Sequence, residues 1–151
     1  MDGVDVLIRV GQGEFSLARV FGLDPKVLDL LTARALGLLQ HGKLEDAGRL
    51  LSSLVAVDID SPLLPLVLGG CRAGQGRFAD AIAAYGNALL REGRRSDPAL
   101  RVEALLGRAQ ARLRMEDLAG AAEDLRAAAP AAAGVQKLEI ETWLARLGVT
   151  A

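Results

Sequence analysis

Ten residues beginning at Gly42 (Gly-Lys-Leu-Glu-Asp-Ala-Gly-Arg-Leu-Leu) return in pattern at Gly76 (Gly-Arg-Phe-Ala-Asp-Ala-Ile-Ala-Ala-Tyr), an offset of 34 residues. In each copy an apolar residue stands two places after the glycine, an acid four, an alanine five, and a large apolar or aromatic residue nine. A third copy runs through Leu118, Ala121, Leu125 and Ala128, in step with Phe78, Ala81, Tyr85 and Ala88 and with Leu44, Ala47, Leu51 and Leu54. The second offset is 40 residues, and the extra length belongs to Gly93–Pro98, where glycine, serine, aspartate and proline make a connector. A period of this size means a chain built from stacked supersecondary units, none of which buries its apolar face alone.

The apolar positions within each copy recur at three- and four-residue spacing, which puts them on one face of a helix. A second helix precedes each copy. Asp24-Pro25, Ser61-Pro62 and Asp97-Pro98 each join a capping side chain to a proline suited to the first helical turn. Ala47, Ala81 and Ala121 are small residues for close helix crossings. Gly69 serves close helix contact, and Gly76 serves the turn between helices.

Helix–turn–helix units of this period resemble the tetratricopeptide repeat, and the middle copy carries the pattern most fully in Leu68-Gly69, Gly76, Phe78, Ala81, Tyr85 and Ala88. Arg34 and Arg108 stand where that repeat usually has leucine, so both must snorkel or find partners. Glu116 stands where it has the turn glycine. The expected architecture is all-α: a single domain over 1–151, with a leader at 1–23, repeats at 28–61, 62–95 and 102–130, and a capping helix at 135–147. That gives about eight helices. In the capping helix Leu138, Trp143, Leu144 and Leu147 are expected to shield the last repeat from water.

Composition narrows the function. Apolar residues make up 51% of the chain and aromatics only 3%, which favours close helix packing over strands. With 18 basic and 19 acidic side chains there is no net-charge argument for nucleic acid or a membrane surface. The most apolar run, Leu63 to Gly70, is broken by Pro65 and too short to span a bilayer, so no membrane insertion is expected. The N-terminus lacks the basic start and long apolar stretch of a signal peptide, and the single cysteine offers no internal disulfide, so the expected compartment is the cytoplasm.

Catalysis is not expected. One histidine, His41, and one cysteine, Cys71, build neither a nucleophile–base pair nor a metal site, and no cofactor is called for. His41 suits a helix C-terminus, and Cys71 suits a buried mid-helix thiol. Gly69, Gly70, Gly74 and Gly76 follow no strand and precede no Lys-Ser or Lys-Thr, so they are not a nucleotide loop. Arg91, Arg94, Arg95 and Arg101 surround the inserted connector. They are a candidate contact for an acidic partner segment, set against the plainer reading of a solvated face. Interleaved aromatics of the kind that bind nucleic acid are missing.

The resemblance implies where a partner would bind, because such repeats line a concave surface with the first helix of each pair. The positions are Leu36 and Leu39 in the first repeat, Leu63, Leu66, Gly70 and Ala73 in the second, and Leu106, Gln110 and Leu113 in the third. Leu36, Leu66, Leu106 and Leu113 are the chief expected contacts. An apolar surface of this kind suits an extended or helical segment with hydrophobic anchors, although several of these leucines could instead pack against the leader.

The stretch from Leu68 to Tyr85, with its Leu-Gly-x-Cys-Arg segment, is similar to the second repeat of the class II type III secretion chaperones. These are small cytosolic proteins that hold hydrophobic translocator subunits before export. The resemblance implies a chaperone holding a client segment in its groove, with a permanent scaffold subunit of a secretion, pilus or motility machine as the alternative. It also points to a homodimer through the leader, residues 4–21, where Val6, Leu7, Ile8, Phe15, Leu17 and Phe21 are more apolar surface than a lone helix leaves in water.

Overall fold

The computed structural model describes residues 22–94 and 96–149, so the expectations for the leader at 1–21 lie outside the described residues. Seven α-helices follow in order: α1 Pro25–Gln40, α2 Leu44–Val57, α3 Leu63–Gly74, α4 Phe78–Glu92, α5 Pro98–Arg114, α6 Leu118–Ala128 and, after a 3₁₀ turn at Ala129–Ala131, α7 Gly134–Arg146. The three expected pairs are α1/α2, α3/α4 and α5/α6, and α7 stands at the capping position.

The proline-marked starts act as their chemistry dictates. Asp24 accepts a hydrogen bond from the Lys26 amide and Asp97 from the Leu100 amide, each with proline opening the helix. At α3 the Ser61 hydroxyl accepts from the Leu64 amide at 3.4 Å. The turns inside the three pairs close identically. The amides of Lys43, Arg77 and Asp117 each reach back five residues, to the carbonyls of Leu38, Arg72 and Arg112. The residue before each of these adopts a left-handed backbone: Gly42 at φ +69°, Gly76 at +73° and Glu116 at +62°. Glu116 thus takes the conformation that glycine supplies in the other two repeats, at a cost of roughly 1–2 kcal/mol for a residue with a side chain.

Each helix packs on its neighbours in the chain, and α3 also touches α5 directly. The first helices therefore form one layer and the second helices another. Ala47, Ala81 and Ala121 are fully buried at the crossings. One core cluster holds Ala35, Leu51, Leu54, Leu64 and Cys71 around α1–α3, and another holds Val102, Leu105, Ala109, Leu125, Ile140 and Leu144 around α5–α7. A smaller cluster of Ala81, Tyr85 and Ala111 lies between α4 and α5. Tyr85 is the wedge of that cluster. A Cβ on Gly69 would meet its ring at 2.7 Å, and a Cβ on Gly107 would collide with it outright. The ring therefore fits only because both α3 and α5 present bare backbone to it.

Arg108 pairs rather than snorkels. Its Nε and Nη2 both donate to Asp124, at 2.9 and 2.6 Å, and Arg112 donates to the same carboxylate at 2.9 Å. Asp124 is 3% exposed, so its charge is tolerable only with these partners. In α7 the side chains that enter the core are Ile140 and Leu144, flanked by Trp143 and Leu147. Leu138, expected on the shielding face, is 66% exposed and points away with Val135. The reason is register: Ile140 and Leu144 lie one turn apart on the face turned toward α5 and α6, and position 138 falls outside that stripe.

Two substitutions check this packing. Ala81→Leu should overpack the α3–α4–α5 contact and cost about 1–3 kcal/mol, read as a lower denaturant midpoint; an unchanged midpoint contradicts the register. Glu116→Gly should raise the midpoint by up to about 1 kcal/mol, the relieved backbone cost less the added freedom of the unfolded chain. A loss of stability there would mean that the Glu116 side chain is needed at the turn.

Candidate partner-binding surface

The layer of first helices, α1, α3 and α5, turns one face away from α2, α4 and α6. Apolar side chains stand open on α1 and α3: Leu36 is 38% and Leu63 is 46% exposed. Gly70, one helical stripe along from Leu63, is exposed as well. Leu39 is half-buried against the α1–α3 core, and Leu66 and Ala73 are half-buried against Ala81, Tyr85 and Ala111. Leu36 and Leu39 follow one helical stripe of α1, and Leu63, Leu66, Gly70 and Ala73 one stripe of α3.

On α5 the inner face is different. Glu103, Gln110 and Arg114 are the exposed residues, and Gln110 donates to Glu139 of α7 at 2.9 Å. Leu106, expected there as a contact, is 7% exposed and belongs to the core of α5–α7, with Leu113 packed against the same cluster. Both are drawn aside because the capping helix supplies Ile140 and Leu144 as apolar partners next to α5. The inner face therefore grades from apolar on α1 and α3 to polar on α5.

The arginines round the connector divide in the same way. Arg91 is committed to the fold. Its guanidinium donates to the carbonyls of Asp58 (2.7 Å), Ser61 (3.1 Å) and Val55 (2.9 Å) and to the Asn87 side chain (3.0 Å). Burial pushes its basicity below the ordinary value, offset in part by Asp58 and Asp60. Four of its five N–H donors are engaged in these bonds, three of them closing the end of α2 and the connector after it. Arg101 is half-exposed and pairs with the buried Glu92 at 3.3 Å, while Arg94 is exposed. Arg95 lies outside the described residues. Among the described residues of the expected basic contact, Arg94 and Arg101 are the ones that stay open.

His41 is exposed and its Nδ1 lies 2.7 Å from the Gly37 carbonyl, at the C-terminus of α1. Cys71 is buried, lies 3.2 Å from the Leu44 carbonyl, and its thiol is pushed up by burial, away from the reactive thiolate. Among the described residues no group of three or more His, Cys, Asp or Glu side chains is placed to hold a metal ion, and no helix is long and apolar enough to cross a membrane.

Two features of the site were not read from the sequence. Gly107 sits in the middle of α5, where glycine costs up to about 1 kcal/mol relative to alanine. That cost was the available signal of a close approach, and the approaching group is Tyr85. The second feature is the direction of the Tyr85 hydroxyl, which reaches toward Gly70 and Gly107 on the inner side.

No family model matches this chain, and no curated protein matches it. Solved structures do. The type III secretion chaperone SycD of Yersinia enterocolitica, in complex with a peptide of the translocator YopD, superposes with a TM-score of 0.73 at 23% identity, over 83% of this chain and 95% of that one. The fold is a tetratricopeptide-repeat fold. PcrH of Pseudomonas aeruginosa, in complex with the chaperone binding region of PopD, matches at TM-score 0.65 and 27% identity over 84% of this chain and 90% of its own. The first tetratricopeptide-repeat domain of Spaghetti, bound to an HSP90 peptide, matches at 0.71 and 19% over 83% and 96%. The structural neighbours of this tetratricopeptide-repeat chain are thus translocator chaperones and a peptide-bound repeat domain.

Proposed function

We propose that this chain is a cytoplasmic chaperone that holds a hydrophobic segment of a secreted, translocator-type client along its inner face, and that it does so by binding alone, without catalysis. The observation that carries the reading is the open apolar pair Leu36 and Leu63, beside the half-buried Leu39 and Leu66, on the first-helix layer of a repeat array. Neighbours of the same fold have been crystallised with translocator peptides, which supports the choice of client. The polar end at Glu103, Gln110 and Arg114 favours a segment whose apolar anchors lie toward α1 and α3 and whose polar residues lie over α5. Leu106 is no longer among the anchors.

Each leucine enclosed by a client contributes about 1.5–3 kcal/mol, while association costs on the order of 4–15 kcal/mol. Three or four anchors therefore give weak-to-moderate affinity to an isolated peptide, and a full client binds more tightly through further contacts. The domain is read as three repeats with a cap. The homodimer through residues 4–21 also belongs to this proposal. It is supported by Leu23, Val27 and Leu30, an exposed stripe (41%, 44% and 71%) at the end of the array where those residues join it.

Peptides selected from a displayed random library against the full chain test the binding surface. Leu36→Glu combined with Leu63→Glu should weaken their binding more than about tenfold, since two buried leucine contacts are replaced by charge. Both positions are exposed, so helicity and melting should stay at wild-type values. Undiminished binding by the folded double variant contradicts the proposal.

A further inference from the structure

The middle of the inner face carries a gap in its side-chain layer. Gly70 of α3 is exposed and Gly107 of α5 is half-exposed, and beneath them lies the hydroxyl of Tyr85, which rises from α4. A Cβ on Gly107 would stand 2.7 Å from that oxygen, and one on Gly70 would stand 3.8 Å from it. Tyr85 is 7% exposed, so its ring is enclosed. Yet no group among the described residues hydrogen-bonds its hydroxyl, and the oxygen is not sealed from solvent. A nearly buried polar group with no partner, aimed at an opening, needs one from outside.

Gly70 is informative because packing does not demand it. Gly69 and Gly107 must be glycine to admit the ring, but a Cβ at Gly70 would make only an ordinary contact. Glycine within a helix is less stable than alanine or leucine, and α3 bears that cost at an exposed position where a side chain would fit. What a side chain at Gly70 would do is fill the gap over Tyr85.

We propose that Gly70, Gly107 and the Tyr85 hydroxyl form a notch that reads the main chain of the client, with the hydroxyl donating to a backbone carbonyl of a segment laid across α3 and α5. The inference rests on the peptide-holding role proposed above and names a specificity-determining group within it. Bare backbone on both sides lets the client's main chain come close. Burial holds the phenol above its ordinary pKa, so it stays protonated and is a donor through the physiological range. The exposed Leu63 and half-buried Leu66 give the notch an apolar rim on α3, and Glu103 and Gln110 give it a polar rim on α5. The notch thus lies at the boundary between the two kinds of surface, where an amphipathic segment changes character.

The test uses the full chain and the library-selected peptides. Tyr85→Phe keeps the ring and removes only the hydroxyl. It should weaken binding about three- to tenfold, the net worth of one neutral hydrogen bond, with unchanged melting. Gly70→Leu should melt at or above the wild-type temperature, because leucine is the better helix former, yet bind more than about tenfold worse because the notch is filled. Tyr85 is the sole tyrosine, so isotope-labelled tyrosine gives one set of ring resonances, which should shift when peptide is added. Wild-type affinity in either variant overturns the notch, as does a lower melting temperature for Gly70→Leu, which would make Gly70 a packing residue. Peptides that bind but ignore the Leu36/Leu63 double variant overturn the proposed function itself. Peptides that respond to that variant and not to Tyr85→Phe or Gly70→Leu overturn the notch alone. Failure to select any peptide overturns both.

Discussion

A single aromatic ring sets the spacing at the centre of this array. Tyr85 is clasped between the bare backbones of Gly69 and Gly107, so α3, α4 and α5 meet at one residue. The rest of that junction is small: Ala81 and Ala111 complete the buried set, with Leu66, Ala73, Phe78 and Ile82 around it. In a chain with so few aromatics, most helix crossings are made by alanine, which permits close approach but specifies little about relative position. The ring and its two glycines supply the specification, since any side chain at either glycine would force the layers apart. The inner face inherits its shape from this contact.

Arginines fasten the units elsewhere. Arg72 of α3 donates to Ser52 of α2 and to Gln75, which in turn donates to Glu45. Arg91 of α4 closes the end of α2 and the connector after it. Arg108 and Arg112 of α5 hold Asp124 of α6. Arg72, Arg108 and Arg112 join consecutive helices and Arg91 reaches past α3 to α2, and each does with hydrogen bonds what a larger apolar residue would do by packing. Of the basic cluster legible in the sequence, Arg91 is taken up in this way, while Arg94 stays exposed.

Much of the fold was written in the sequence because it depends on local chemistry. The repeat register gave the helix pairs, the acid–proline pairs gave two of the first-helix starts directly, and the offset between the second and third copies located the connector. The turn glycines were equally plain, and Glu116 shows that hydrogen bonding around the turn holds the left-handed conformation even without glycine. What was not legible depends on which of two neighbours a face meets. Leu106 and Leu138 lie at helical spacing that fits a groove or a core equally well, and only the placement of α7 decides between them. Gly107 and the reach of the Tyr85 hydroxyl are long-range facts, since Tyr85 lies 15 positions from Gly70 and 22 from Gly107 and on a different helix from either.

The central claim is that the first-helix layer, and not the outer one, holds the partner. Leucine methyl groups report on this directly, because leucines open to solvent stand on both layers: Leu36 and Leu63, with the half-buried Leu66, on the inner side, and Leu90 and Leu118 on the outer helices α4 and α6. Methyl spectra of the full chain, recorded with and without a library-selected peptide, compare the two sets in one experiment. The account predicts shifts at Leu36, Leu63 and Leu66 while Leu90 and Leu118 stay in place. Shifts confined to Leu90 and Leu118 would contradict it.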